Sequence, residues 1–324
     1  MRTYTELRED YLNYLKSNPL VGSPDELYDP ANYILDLGGK RIRPVLVLLG
    51  YQFKRSDVEK ALPLAHAVEV FHNFTLMHDD IMDRADVRRG KPTVHKKWNE
   101  NIAILSGDMM LVRAYRSINQ IDAPSEIKCL ITDEFSKMAE EVCVGQQFDM
   151  NFETRDEVAE QEYLHMIEGK TSVLLAFSLM SGSVLAGATD EEARMLYDYG
   201  LNVGLAFQVM DDYLDTFGTQ ETFGKRIGGD ILENKKTLLA IEAFKRAKTN
   251  QKAELDSWYA QSIDSQEKID SVTQIFKDLG IPDYAKSVMG GYMTKAHELS
   301  EVLSKTGSME ALNALTADLN QRNT

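Results

Sequence analysis

Two short acidic runs repeat one spacing: DDIMD at Asp79, Asp80 and Asp83, and DDYLD at Asp211, Asp212 and Asp215. Each lies in an apolar stretch free of Pro and Gly, VEVFHNFTLMHDDIMD from Val68 and LAFQVMDDYLDTF from Leu205, so each reads as helix. At ~100° per residue, positions i and i+4 fall about 40° apart, which puts Asp79 with Asp83 and Asp211 with Asp215 on shared faces. Carboxylates gathered among core-forming residues repel one another unless a cation lies between them. Oxygen donors with room for water suit Mg²⁺, which takes a few carboxylates and is completed by substrate phosphates. A single acidic run is more often a solvated face. The recurrence of the spacing on two apolar helices, with separate basic motifs elsewhere, turns the reading towards a metal–diphosphate site.

The chain has a net charge of −15 over 324 residues and a pI near 4.9, which argues against nucleic acid or an anionic membrane surface as a partner. An acidic protein with a phosphorylated substrate must concentrate its cations locally. GGKRIRP, Gly38 to Pro44, places Lys40, Arg41 and Arg43 beside a glycine turn, just before a helix that opens on Pro44, a suitable anion contact. Beyond the first acidic run, RADVRRGKPTVH leaves the helix as a loop; its adjacent Arg88 and Arg89 fit two phosphate groups. His72 lies two turns before Asp79 on the same face, placed to donate to a phosphate oxygen. His66, His72 and His78 follow steps of six, which is not a zinc pair; His66 and His78 read as packing residues. Gly169 interrupts a helical pattern just before Lys170 and Thr171, predicting a local break, with close helix packing as the other ordinary use of such a glycine. FGTQETFGKRIGGDILENKKT, after the second acidic run, reads as a mobile loop with Lys225 and Arg226 inside it and Lys235 and Lys236 beyond, able to close over an anion.

These residues need a scaffold, and the pattern supplies helices. Residues 3 to 16, 25 to 37, 57 to 85, 101 to 121, 125 to 152, 157 to 185 and 190 to 217 show apolar positions at three- and four-residue steps, with strand alternation nowhere sustained. Residues 238 to 324 read as three or four amphipathic helices with turns near Asn250, Gly280 and Gly307. No linker divides the chain, so it reads as one all-α domain, 1–324. Cys129 and Cys143 form no metal spacing and are expected as reduced, partly buried thiols of a cytoplasmic protein; no run approaches the ~18 apolar residues of a membrane span.

The motifs GGKRIRP, DDIMD, RRGKPT, GKT, FQ with DDYLD, and GKRIGGD stand in the order found in the trans-type polyprenyl diphosphate synthases, which this chain resembles from about Gly38 to Lys235. The resemblance implies an antiparallel all-α bundle around a deep cavity, the isoprenoid synthase fold, usually a homodimer. It implies condensation of isopentenyl diphosphate with an allylic diphosphate (dimethylallyl, geranyl or farnesyl), assisted by Mg²⁺, three ions with diphosphate bound, with Mn²⁺ as a substitute. Carried over by position, Asp79, Asp83 and Asp211 are the Mg²⁺ ligands, with Asp80, Asp212 and Asp215 supporting. Lys40, Arg43, His72 and Arg89 hold isopentenyl diphosphate; Arg88, Lys170, Lys225 and Lys235 hold the allylic diphosphate; Thr171 and Gln208 face the carbocation.

Product length should depend on the helix leading to Asp79. At 1.5 Å per residue, Phe74 lies ~7.5 Å and Phe71 ~12 Å from it, about 60° apart in azimuth, so both rings can close one wall. A large residue five before the first Asp resembles short-chain members, and the undivided DDIMD departs from the bacterial farnesyl type; together they point to a C20 product, with C15 and then longer chains as alternatives. A terpene cyclase would not need GGKRIRP. A phosphohydrolase reading His78-Asp79 as an HD signature would release free prenyl alcohol, and a non-catalytic subunit would have lost part of one run.

Overall fold

Local capping chemistry fixes where the helices begin. In the computed structural model, which describes residues 1–219 and 227–321, Thr3 accepts from the Glu6 amide while Glu6 reaches back to the Thr3 amide, and this capping box opens α1 (Tyr4–Ser17). α2 (Asp25–Asp36) follows, then α3 (Ile42–Gln52). The third helix starts two residues before the expected Pro44, because Arg41 adopts left-handed backbone, φ 57°, and turns the chain there. A 3₁₀ turn at Val58–Ala61 leads into α4 (Leu62–Met82), whose last turn carries the first acidic run.

Where the sequence predicts an open loop, the chain makes a two-residue hairpin. Strand β1 (Val87–Arg88) pairs antiparallel with β2 (Lys91–Pro92), and the turn residues Arg89 and Gly90 both have positive φ, 52° and 75°, as a type I′ turn requires. Beyond it lie α5 (Val94–Lys97), α6 (Glu100–Asn119) capped by the Asn99 side chain, and α7 (Ser125–Thr154). The pattern read as one helix from 157 to 185 is α8 (Glu160–Ile167), a π-helical turn at Glu168–Ser172, and α9 (Val173–Leu185), so the break predicted at Gly169 is present. α10 (Asp190–Phe217) carries the second acidic run, and a short α11 (Gly229–Leu232) follows. Among the described residues, the C-terminal segment holds five helices rather than three or four: α12 (Leu238–Arg246), α13 (Thr249–Tyr259), α14 (Gln266–Asp278), α15 (Ile281–Leu303) and α16 (Glu310–Gln321).

Contacts group the chain into two compact units, residues 1–136, 177–196 and 306–312, and residues 137–176, 197–305 and 313–324. In the first, Gly50 of α3 and Gly182 of α9 let two helix backbones touch, since a Cβ at either would overlap the carbonyl of Leu179 or Val47. Phe71, Phe135, Phe177 and Tyr115 stack edge-on behind α4, with ring centroids 4.9–5.6 Å apart. In the second, Val209, Leu239, Val272, Phe276 and Ile281 anchor the core. Cys129 and Cys143 are free and exposed, not partly buried as expected, because both lie on outward positions of α7. Among the described residues, no helix is long and apolar enough to cross a membrane.

One core residue makes stability depend on pH. His66 is buried edge-on to Tyr14, and burial lowers its pKa from the ordinary value to about 4. As pH falls below ~6.5, the unfolded chain therefore takes up a proton that the folded chain refuses. The contribution is intact above that pH and is lost progressively as pH approaches 4, by about 3 kcal/mol at most. Thermal unfolding between pH 7 and 4 should show a shallower loss of Tm for His66→Gln than for the parent. Parallel curves would exclude His66 as the cause.

Candidate active site

In the first unit, a turn at Gly38–Gly39 is built around arginines. Arg41 is buried in an ion pair with Glu69 and donates to the Leu35 carbonyl, so it anchors the turn and is not an anion contact. That corrects the count of cations offered by GGKRIRP: Lys40, which is exposed, and Arg43 remain. Arg89, raised by the hairpin, donates to the Gly38 carbonyl and lies flat on Gly39, where a Cβ would fall 2.8 Å from the guanidinium carbon. Only glycine fits there, all the more because Gly39 has φ 123°. Arg8 of α1 joins the cluster by donating to the Gly39 carbonyl at 3.4 Å, a contact that nothing in the sequence announced.

His72 sits inside this group with its Nε2 3.2 Å from Arg43 Nη1. A guanidinium can only donate, so Nε2 accepts and the ring proton is on Nδ1. Burial first, and the surrounding Arg43, Arg89, Arg88 and Arg41 next, hold the His72 pKa well below its usual value. Neutral His72 can thus donate from Nδ1 to an anion. Arg43 is itself pulled down to about 10, chiefly by burial and also by the neighbouring Arg89, against the opposing charge of Glu69.

The two adjacent carboxylates of the first run have diverged. Asp80 is 2% exposed and accepts a bidentate contact from Arg88, whose Nε lies 2.9 Å from both oxygens. Asp79 is half-buried, with Arg88 Nη2 at 3.8 Å, and Asp83 is exposed. The neighbouring Phe74 ring is half-buried, 5.6 Å from Phe71 and 4.8 Å from His78, whereas Phe71 is fully buried in the aromatic core.

The second unit repeats the divergence. Asp212 is 4% exposed and accepts from the Tyr163 hydroxyl at 2.5 Å, with the Gln208 amide at the outer limit of 3.5 Å. Asp211 is half-buried. Asp215 is buried and accepts from the Asp230 amide at 3.0 Å, which ties the run to the start of α11. Burial, and then the charge of Asp230, push Asp212 well above the ordinary carboxylate range and Asp215 up to about 6. Carboxylates that resist ionisation in this way are ones a divalent cation would restore. Among the described residues, no three Asp, Glu, His or Cys side chains stand close enough to hold a metal ion by themselves, so a cation here would draw on water and phosphate oxygens.

Lys170 projects from the π turn to Asp149 at 2.6 Å, and the Thr171 hydroxyl donates to Gln208 Oε1 at 3.2 Å. The turn forms where α7 crosses closely: a Cβ on Gly145 would overlap the Lys170 amide, and one on Gly169 would lie 2.9 Å from the Glu141 carbonyl. Both ordinary uses of Gly169, break and packing, therefore hold together. Lys235 lies 2.9 Å from Glu233 and 3.4 Å from Asp230, while Lys236 turns away to the Phe152 carbonyl. Lys225 and Arg226 lie outside the described residues, as does the rest of the stretch 220–226 of the expected mobile loop. Asp149 and Tyr163 stand in no motif of the sequence, the one local signal being Gly145, a mid-helix glycine one turn before Asp149, while Asp230 closes GKRIGGD without a role assigned to it there.

A family model described as polyprenyl synthetase matches residues 24–277. A geranylgeranyl diphosphate synthase of Methanosarcina mazei is 41% identical over 87% of this chain and 86% of its own length. A crystal structure of a geranylgeranyl pyrophosphate synthase superposes with a TM-score of 0.92 at 46% identity, covering 99% of this chain and 98% of the other. One from Corynebacterium glutamicum, solved with isoprenyl diphosphate and magnesium, superposes at 0.82 with 25% identity, covering 99% and 98% of the two chains.

Proposed function

Because the chain belongs to the polyprenyl synthetase family, and is therefore a prenyltransferase, we propose that it condenses isopentenyl diphosphate with an allylic diphosphate to make geranylgeranyl diphosphate, C20. The observation that carries this reading is the basic group of Arg43, neutral His72 and Arg89 around Gly38–Gly39, separate in sequence from two intact acidic runs. An enzyme that only ionises or hydrolyses one diphosphate has no use for it. With Lys40, these residues are proposed to hold isopentenyl diphosphate.

The family binds diphosphate through divalent metal, and we assign Mg²⁺ here, three ions with diphosphate bound, with Mn²⁺ able to substitute. Asp79, Asp83 and Asp211 are the proposed ligands, being the accessible members of the runs, while Asp80 and Asp212 are held by Arg88 and Tyr163 and support them. Asp215 and Asp230 complete the acidic set. When bound, the metal neutralises the leaving diphosphate and so favours heterolysis of the allylic C–O bond. Arg88, Lys170, Lys225 and Lys235 add fixed positive charge around that leaving group. Thr171 has its hydroxyl proton committed to Gln208, so its oxygen lone pairs face outward as a negative dipole for the allylic cation. The isopentenyl double bond attacks that cation, and the proton lost from the adduct passes to the released diphosphate.

The exposed Ile104, Leu105 and Val112 of α6 are the face through which we propose a homodimer forms. Two exposed free thiols fit a reducing compartment such as the cytoplasm. Product length tests the assignment of the cavity floor. Phe74→Ala should shift the product distribution from C20 to C25 and longer, read by mass spectrometry. Phe71→Ala, buried behind it, should do so mainly in combination. An active Phe74→Ala enzyme with the parental distribution would place the floor elsewhere.

A further inference from the structure

Lys268, in the first turn of α14, is a lysine with no exposed surface. Its Nζ donates to Asn234 Oδ1 at 2.6 Å and to the Gln261 carbonyl at 2.6 Å, with the Leu232 carbonyl at 3.5 Å. Asn234 in turn donates to the same Gln261 carbonyl at 3.3 Å and holds left-handed backbone, φ 56°. The next residue, Ile269, packs under Gly228, φ 80°, so closely that a Cβ there would fall 2.7 Å from Ile269 Cγ2. One turn of α14 thus grips both ends of the segment Gly228–Lys235. Burying an ammonium is costly, and a methionine would fill the same space without that penalty. What the cation adds is geometry: three oxygens, two of them in the turn that ends at Lys235, are drawn to one point.

That segment is short and stiff. Lys235 donates its amide to the Asp230 carbonyl at 2.9 Å, and the Asp230 amide donates to Asp215 at 3.0 Å. A shift at Asn234 therefore moves Lys235 directly and Asp230 through it. We propose that Lys268 is a positioning residue for the allylic-diphosphate side of the reaction: through Asn234 and the Leu232 carbonyl it fixes where Lys235 and Asp230 stand relative to Asp215. The inference rests on the assignment of Lys235 and Asp230 to that substrate.

The test is steady-state kinetics of the full-length protein with Mg²⁺, varying farnesyl diphosphate and isopentenyl diphosphate separately. Lys268→Met should raise KM for farnesyl diphosphate about tenfold, the loss of one charge-assisted hydrogen bond, and leave KM for isopentenyl diphosphate within ~2-fold. Asn234→Gly keeps the positive φ and removes the acceptor, so it should show the same split, and the double variant should be no worse than Lys268→Met alone. If Lys268→Met does not fold, Asn234→Gly carries the test. Lys235→Ala separates the two levels. Should it leave KM for farnesyl diphosphate unchanged, the site assignment falls and this inference with it; should it raise that KM while both other variants do not, the positioning role alone is refuted. Equal changes in both KM values would likewise overturn it.

Discussion

Replacing Asp79 or Asp211 with Ala should lower kcat by ~1,000-fold or more while circular dichroism and gel filtration stay unchanged. Both are half-buried side chains, unlike Asp80 and Asp212, so removal leaves no large void. What it removes is the oxygen that a cation shares with the leaving diphosphate. Asp80→Ala should behave differently. It strips the bidentate partner from Arg88, and the loss should fall on folding stability as well as on turnover. Equal kinetic and stability profiles for Asp79→Ala and Asp80→Ala would contradict the division of roles between neighbours.

Glu69→Ala should destabilise the protein by about 3–5 kcal/mol, because it leaves Arg41 as a buried charge without its carboxylate. Both side chains are almost fully buried, 2% and 3% exposed, so solvent gives little relief. The damage should extend to substrate. Arg41 sits at the left-handed residue that starts α3, and the carbonyls of Gly38 and Gly39 that receive Arg89 and Arg8 precede it directly. Urea unfolding would give the stability change, and calorimetric binding of isopentenyl diphosphate below the unfolding midpoint should weaken in parallel. A stability loss under 1 kcal/mol would mean that Arg41 finds another partner.

The acidic runs were legible because their chemistry is local. Two carboxylates at i and i+4 declare a shared face, and the ~100° step between neighbours already separates Asp80 from Asp79. What that step could not give was the partner each second aspartate meets. Arg88 reaches Asp80 through a hairpin whose first turn residue, Arg89, is not a residue type that favours positive φ, and Tyr163 reaches Asp212 from a different helix. The π turn was foreshadowed by Gly169, whereas its cause, the crossing with Gly145, is a long-range contact. Arg41 looked like an anion contact because its partner, Glu69, lies 28 residues on, the one carboxylate in the largely apolar first half of α4. The extra C-terminal helix escaped notice because the break at 260–265 contains neither Gly nor Pro and is closed by a Ser265 cap alone.

The most direct test of the account is product analysis of the purified protein given labelled isopentenyl diphosphate and farnesyl diphosphate, with Mg²⁺ or with excess chelator. The account predicts geranylgeranyl diphosphate with Mg²⁺ and no extension under chelation. Free farnesol as the main product, release that does not require isopentenyl diphosphate, or full turnover in chelator would contradict it.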